Sequence, residues 1–235
     1  MITKNINELS GFDFDEGVSI LFDKPIWWTS FKVVHKIRKA TRVKKVGHAG
    51  TLDPLATGLL ILCTGRLTKE IDSFQALTKT YTGTFTLGKK TLSMDSETEP
   101  VEEKPFNHIS YDDLLSAKNN FVGEILQTPP MYSAINFKGK KLYEYARKGK
   151  IIERDARPVF IYNFDIIGFN PPEVKFEITC SKGTYIRVIG DDLGRILGCG
   201  AYLTALRRTH IGDYSVNDAF EVRDFIALVE KRLQL

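Results

Sequence analysis

The 235-residue sequence holds no long apolar run: its longest, Gly58 to Cys63, is far short of the roughly 20 residues that cross a membrane. The first residues, Ile2, Thr3, Lys4 and Asn5, lack the apolar core of a secretory leader. These absences predict a cytoplasmic protein with no membrane partner. Cysteine is scarce as well. Cys63, Cys180 and Cys199 are odd in number, widely spaced and without a C-x-x-C pair, which argues against a disulfide framework or a zinc site and leaves three reduced core residues. His35, His48, His108 and His210 do not join cysteines or carboxylates at ligand spacing, so no metal is expected. Internal repeats, low-complexity segments and Pro/Gly/Ser linkers are also missing, which predicts one continuous domain over residues 1–235, in one lobe or two.

What is present is an ordinary globular composition, 43% hydrophobic and 26% charged. Val18 to Phe22 reads as a strand. Phe31, Val34 and Ile37, with Val33 between them, give helical spacing for about three turns after Thr29 or Ser30 as N-cap. Gly58 to Cys63 reads as a buried strand and Leu67 to Leu77 as a helix. Tyr81, Gly83, Phe85 and Leu87 alternate with threonines as a half-buried strand does. Tyr111 to Phe121 predicts a helix, Met131 to Phe137 a strand, and Leu142 to Lys148 a short helix stopped by Gly149. Arg157 to Gly168 and Glu173 to Cys180 flank Asn170-Pro171-Pro172 as a hairpin. Ile186 to Leu197 then reads as a helix, Tyr202 to Arg207 as a strand and Glu221 to Leu233 as a terminal helix. Long strands joined irregularly by few helices predict an α+β fold, a mixed, largely antiparallel central sheet with flanking helices.

The net charge of +4 is modest but unevenly spread. Between Lys24 and His48 the chain carries Lys24, Lys32, Lys36, Arg38, Lys39, Arg42, Lys44 and Lys45 and no acid, and Lys138 to Lys150 holds six basic residues against Glu144. Both are candidate phosphate-binding surfaces, because neutralising phosphates releases counterions, though a basic helix face is also commonly just solvated. The acidic run Asp95, Glu97, Glu99, Glu102, Glu103 reads as a solvated loop.

Residues 47–58 read GHAGTLDPLATG, three glycines, one histidine and one carboxylate ahead of the buried strand. Such a loop can let a substrate backbone come close. It has neither the G-K-S/T ending of a P-loop nor dinucleotide-fingerprint spacing, so no nucleotide cofactor is indicated. Taken by itself, Asp53-Pro54 reads first as a turn.

The whole loop, however, resembles the G-H-x-G-x-L-D-P-x-A-x-G motif of the TruB family of tRNA pseudouridine synthases. Four further blocks of that family follow in order: Lys79-Thr80-Tyr81; Pro129-Pro130-Met131-Tyr132-Ser133-Ala134; Gly183-Thr184-Tyr185-Ile186-Arg187 with Asp191-Asp192-Leu193-Gly194; and Leu206-Arg207-Arg208. The resemblance runs from about Leu21 to Arg208. It implies the pseudouridine synthase fold, tRNA as partner, and a cofactor-free isomerisation of uridine-55 in the TΨC arm. Residue by residue it implies Asp53 as the catalytic carboxylate, Arg187 as its ionic partner and Tyr81 as the ring against the target uracil. Tyr185 and Leu206 complete the pocket and His48 meets the RNA loop near the displaced nucleotide. Lys24, Lys79, Arg207 and Arg208 take phosphate or pocket-wall duties. Without the motif, the two tyrosines and Leu206 read as packing, His48 as a hydrogen-bonded loop residue and the basic residues as surface charge.

The implied roles suit the reaction. The N-glycosidic bond is broken and the uracil rejoined through C5, which needs a nucleophile or base and a pocket that keeps water from the detached ring. An ionised carboxylate can add to C6 of the ring or C1′ of the sugar, or help remove a ribose proton, and an arginine beside it favours its charged form. Unstacking a base costs a few kcal/mol, of which stacking on a ring such as Tyr81 recovers about 1–3 kcal/mol. Two rival readings are a non-catalytic tRNA-binding or folding protein, against which an intact Asp53 speaks, and a nucleoside or glycoside hydrolase with Asp191-Asp192 as second acid. Three positions depart from the family pattern: Trp27, where glycine is usual in Lys24-Pro25-Ile26-Trp27-Trp28-Thr29-Ser30, Asn136 where lysine is usual, and Leu67 where alanine is common. Only 27 residues follow Arg208, so a C-terminal PUA domain is not expected, and the protein is expected to be a monomer.

Overall fold

The computed structural model describes residues 1–233. In chain order the first strands are β1 (Ser19–Lys24), β2 (Val46–His48), β3 (Thr57–Thr64), β4 (Lys79–Leu87), β5 (Lys89–Thr91), β6 (Pro100–Glu103) and β7 (Gly123–Gln127). They continue with β8 (Asn136–Phe137), β9 (Lys140–Lys141), β10 (Arg157–Asn170), β11 (Glu173–Cys180), β12 (Ala201–Ile211), β13 (Tyr214–Ser215) and β14 (Phe220–Glu221). The helices are α1 (Ser30–Thr41), α2 (Ile71–Ala76), α3 (Tyr111–Lys118), α4 (Leu142–Ala146), α5 (Ile186–Ile196) and α6 (Val222–Leu233). Hydrogen bonding orders the main sheet β14-β1-β3-β12-β4-β11-β10-β7, with β2 beside β3 and β13 beside β12. β1/β3, β2/β3, β10/β11, β10/β7 and β12/β13 are antiparallel, while β1/β14 and β3/β12 are parallel. This is the mixed, largely antiparallel sheet of the predicted α+β fold. No helix among the described residues is long and apolar enough to cross a membrane.

The chain divides into two compact units, residues 1–82 with the segment from Leu206 on, and residues 83–205. It passes from one to the other inside β4 and again inside β12. A boundary that falls within strands leaves no linker composition to read.

In the first unit β1 and β3 are buried along nearly their whole length, which is why Gly58 to Cys63 reads as an unbroken apolar run instead of an alternation. Ile20, Phe22, Leu60 and Leu62 pack with Val33, Val34 and Ile37 of α1 and Phe225 and Val229 of α6. Leu21, Leu59, Ile61 and Cys63 pack with Ile211 in a second cluster. α1 begins where the sequence predicts, the Thr29 side chain accepting the Lys32 N–H at 3.0 Å. Its buried stripe is Ser30, Val33, Val34 and Ile37, and Phe31, counted in that stripe by its spacing, is 68% exposed. At 100° per residue Phe31 lies roughly 110° round the helix from the stripe's centre. The helix expected over Leu67 to Leu77 is a 3-10 segment, Gly65–Glu70, followed by the six-residue α2, which buries no residue.

Between β1 and α1 the Trp28 N–H donates to the Pro25 carbonyl at 3.4 Å, closing a turn around Ile26 and Trp27. Trp27 has φ 63°, the left-handed third position that a type II turn reserves for glycine. Holding a bulky residue there costs on the order of 1–3 kcal/mol.

In the second unit β10 and β11 form the predicted hairpin, Asn170 pairing with Glu173 across Pro171-Pro172. Phe85 stacks on Phe176 with ring centroids 4.1 Å apart, and Phe164 meets Phe176 edge-on. α3 starts at a reciprocal Ser110–Asp113 cap. The strand expected over Met131 to Phe137 is reduced to the two residues of β8. The carbonyls of Ser133 and Ile135 instead accept the Tyr143 and Leu142 N–H groups at 3.1 and 2.9 Å, so this segment caps α4, and its β8 end pairs only with β9 in a two-residue hairpin apart from the main sheet. β7 has no counterpart in the sequence reading. Leu126 is exposed at this sheet edge, so its apolar residues do not alternate as a half-buried strand's do.

Candidate active site

The GHAGTLDPLATG loop leaves β2 at His48 and returns to the sheet at Thr57. Its middle carries the turn that Asp53-Pro54 announces, the Ala56 N–H donating to the Asp53 carbonyl at 3.0 Å. The backbone on both sides of the half-buried Asp53 is tied down. Ser30, buried at the start of α1, accepts the Leu52 N–H at 2.9 Å and lies 3.2 Å from the Leu52 carbonyl, to which its hydroxyl donates. The Pro54 carbonyl accepts the Trp27 N–H at 2.7 Å and the Lys24 ammonium at 3.4 Å. Gly58, at φ 104°, lies against the Arg208 backbone, and a Cβ there would collide with it. This close approach is made by protein, and it accounts for one of the glycines read as room for substrate.

Of the four basic residues that the family blocks single out, three, Lys24, Lys79 and Arg208, prove to be buried. Lys24 is fully buried, and besides Pro54 it donates to the carbonyls of Pro25 and Trp28 at 3.0 and 2.6 Å. Burial lowers its pKa to about 8; Arg208 pushes the same way, while the negative charges of Asp53 and Asp23 oppose the shift. Arg208, also buried, donates from Nε to the Leu59 carbonyl at 2.7 Å and from Nη2 to the Gly50 carbonyl at 3.1 Å. Lys79 donates to the carbonyls of Gln75 and Leu77, both at 2.6 Å. Arg207 makes a two-pronged ion pair with Asp23 at 2.6 and 3.1 Å and reaches the Thr57 hydroxyl at 3.3 Å. What these four cations visibly do is hold loops and strands, a use of charge that sequence cannot separate from surface charge.

His48 is half-buried and its Nδ1 is sealed from solvent with no hydrogen-bond partner among the described residues. Burial first, and Arg208 second, lower its pKa against a backbone hydrogen bond at Gly50, so the imidazole is neutral at pH 7. Tyr81 is buried on β4, and Leu206 is half-buried on the neighbouring β12. β12 lies between β3 and β4, with Arg207 opposite Thr57 and the Thr209 hydroxyl on the Thr80 carbonyl at 3.2 Å. In the first unit the sheet therefore brings the end of the loop, Leu206 and Tyr81 onto adjacent strands.

In the second unit Tyr185 is the N-cap of α5, and its backbone is gripped at both ends by the Gln127 amide, which accepts the Tyr185 N–H at 2.7 Å and donates to its carbonyl at 3.1 Å. Arg187, in the first turn of α5, is almost wholly buried and pairs with Asp95 at 3.3 Å. It also donates to the Tyr132 carbonyl at 2.7 Å, which ties the Pro129-to-Ala134 block to the Gly183-to-Arg187 block. Asp95 is thus a correction to the solvated acidic loop: it is 2% exposed, and its carbonyl accepts the Thr91 and Ser93 hydroxyls at 2.7 and 3.1 Å. The signal that could have found it is the run of hydroxyl residues around it, Thr91, Ser93, Ser96 and Thr98, able to satisfy a buried turn. Gln127 gave no such signal. Asp191 and Asp192, the second acids of the hydrolase reading, are engaged with Lys90 at 3.8 Å and Arg195 at 2.8 Å.

Residues 38–186 match the family described as TruB family pseudouridylate synthase (N terminal domain), and residues 187–234 match the tRNA pseudouridylate synthase B C-terminal domain. The chain belongs to the TruB family. It is 48% identical to a tRNA pseudouridine synthase B of Chloroherpeton thalassium over 92% of both chains. It is 45% identical to that of Flavobacterium johnsoniae over 94% of this chain and 98% of the other. The TruB-family activity, isomerisation of uridine to pseudouridine in tRNA, is accordingly the activity of this chain. The fold is also that of a chain in the crystal structure of the archaeal box H/ACA sRNP Nop10-Cbf5 complex, with a TM-score of 0.69 at 24% identity. That match covers 94% of this chain and spans 57% of the length of the other.

Proposed function

We propose that the reaction is carried out on uridine-55 in the TΨC arm of tRNA, with Asp53 as the catalytic carboxylate. The observation that carries this reading is the fixing of Asp53 between two tethered neighbours, Leu52 on Ser30 and Pro54 on Trp27 and Lys24. A carboxylate that must meet one atom of a displaced nucleotide gains most from a backbone fixed before substrate arrives. The nearby ammonium of Lys24, whose own protonation Asp53 favours, in turn favours the ionised carboxylate.

In this proposal Tyr81 supplies the face against which the extruded uracil stacks, with Leu206 on the neighbouring strand, and Tyr185 and Arg187 keep the roles that the family motif implies for them. His48, half-buried at the end of β2 where the Asp53 loop begins, meets the RNA loop near the displaced nucleotide in this reading, as the family motif implies. The protein acts as a cytoplasmic monomer. A pool of tRNA transcripts treated with purified protein and mapped for pseudouridine tests the position, with a single product site at 55 expected. Asp53→Asn keeps the size of the side chain and removes its charge and nucleophilicity, so a correctly folded variant is expected to leave the pool unmodified. Turnover by that variant would remove Asp53 from the chemistry.

A further inference from the structure

Of the strained or exposed features in the molecule, the turn between β1 and α1 combines several that do not serve the fold. Trp27 occupies a backbone position suited to glycine, at φ 63°, yet its side chain is 63% exposed. Ile26 beside it and Phe31, at the start of α1, are also exposed. Neither Trp27 nor Phe31 makes a ring–ring or cation–ring contact among the described residues, whereas the Trp28 ring already carries the Lys32 ammonium at 4.3 Å. The Trp27 N–H would be kept by any residue but proline, so an indole held there at a strained backbone position and mostly solvated adds little to the fold, and exposed apolar patches of this kind mark binding surfaces.

We propose that Trp27, with Ile26 and Phe31, forms a stacking shelf for an unpaired base of the substrate RNA that flanks the uridine being modified. The inference rests on the reading of Asp53 as the reaction centre, because position is one of its two supports: the Trp27 N–H is bonded to the carbonyl of Pro54, the residue after Asp53. Charge is the other. Lys32 and Lys36 are exposed on the same helix, and no acid occurs from Lys24 to His48, so the surroundings suit a polyanion. Aromatic faces beside a cationic track bind unstacked bases through the π face of each base, with little demand on its identity. A loop opened to release one nucleotide leaves its neighbour unstacked, and the shelf replaces that missing partner.

Two substitutions test this. Trp27→Gly suits the turn's backbone, so the variant is expected to keep or raise its Tm while the dissociation constant for tRNA rises roughly 5- to 140-fold, the range for loss of one base stack. A merely structural role predicts the opposite pairing, lower Tm with unaltered affinity. Trp28→Phe leaves Trp27 as the sole tryptophan of the chain, and its fluorescence is expected to be quenched when a TΨC stem-loop binds. In stem-loops with one abasic nucleotide at a time, a single position next to the target should abolish both the quenching and the effect of Trp27→Gly. Affinity within two-fold of wild type for Trp27→Gly together with unquenched Trp27 fluorescence would overturn the proposal, as would a dimer that Trp27→Gly dissolves without change in RNA affinity. These readouts need no turnover, so they stand apart from the fate of Asp53, which fails only if Asp53→Asn remains active.

Discussion

An ammonium sealed from solvent is driven to give up its proton, and Lys24 shows both that pressure and what resists it. Its pKa of about 8, against an ordinary 10.5, means that between about pH 8 and 10.5 the unfolded chain holds a proton there that the folded protein has released. Stability contributed by this residue therefore rises with pH across that window, and below about 8 the folded protein carries the full cost of the buried charge. The Lys24 Cε resonance is expected to titrate near 8. Because Asp53 supports the charged form, Asp53→Asn should move that midpoint lower still; an unmoved midpoint would mean that the two charges do not act on each other. At Tyr81, Tyr81→Leu is expected to lose far more activity than Tyr81→Phe, since the proposed stacking needs the ring and not the hydroxyl. Equal, near wild-type rates for both variants would return Tyr81 to a packing role.

Elements matter here through the places where one holds another. The start of α1 is coupled to the Asp53 loop by one hydroxyl, that of Ser30, which serves both the N–H and the carbonyl of the buried Leu52. Ser30→Ala leaves those groups without their partner in a site closed to water, at a cost of about 1–3 kcal/mol. For a chain of this size we expect Tm to fall by about 2–12 °C and kcat to fall with KM little changed, because the loop that positions Asp53 loosens while the RNA-facing surface stays. Unchanged Tm and kcat would show that the loop is held by Lys24, Trp27 and Arg208 without it.

At the scale of the whole molecule both basic tracts lie mostly at the surface. In the first, Lys24 is internal, while Lys32, Lys36, Arg38, Lys39, Arg42, Lys44 and Lys45 are exposed. Exposed cations of one sign bind phosphates by releasing counterions, so each cation–phosphate pairing removed should reduce the slope of log affinity against log salt by somewhat under one, about 0.7 on a single strand. Replacing Lys44 and Lys45 by alanine is therefore expected to weaken tRNA binding evenly across tRNA sequences and to flatten that slope by one to two such steps. Dissociation constants measured over a salt series decide it, and an unchanged slope would place this end of the tract off the RNA path.

Much of the architecture is legible in the sequence by itself. The α+β class, the Thr29 cap, the buried run from Gly58 to Cys63 and the hairpin around Asn170-Pro171-Pro172 all follow from local periodicity, capping and turn chemistry, which act over a few residues. The family came through ordered motifs spread over most of the chain. Tertiary structure alone decided which charges go inside. Lys24, Lys79, Arg208 and Asp95 look like any other charged residues in sequence, yet each is buried: Arg208 on carbonyls about 150 residues away, Asp95 against Arg187, Lys24 on two local carbonyls and that of Pro54, and Lys79 on local carbonyls that folding encloses with it. It likewise decided that Met131 to Phe137 caps a helix instead of pairing in the sheet, and that Phe31 and Trp27 face solvent. The physical reason is common to all of them: periodicity and capping are properties of neighbours along the chain, whereas the fate of a polar or aromatic side chain depends on partners brought to it by folding.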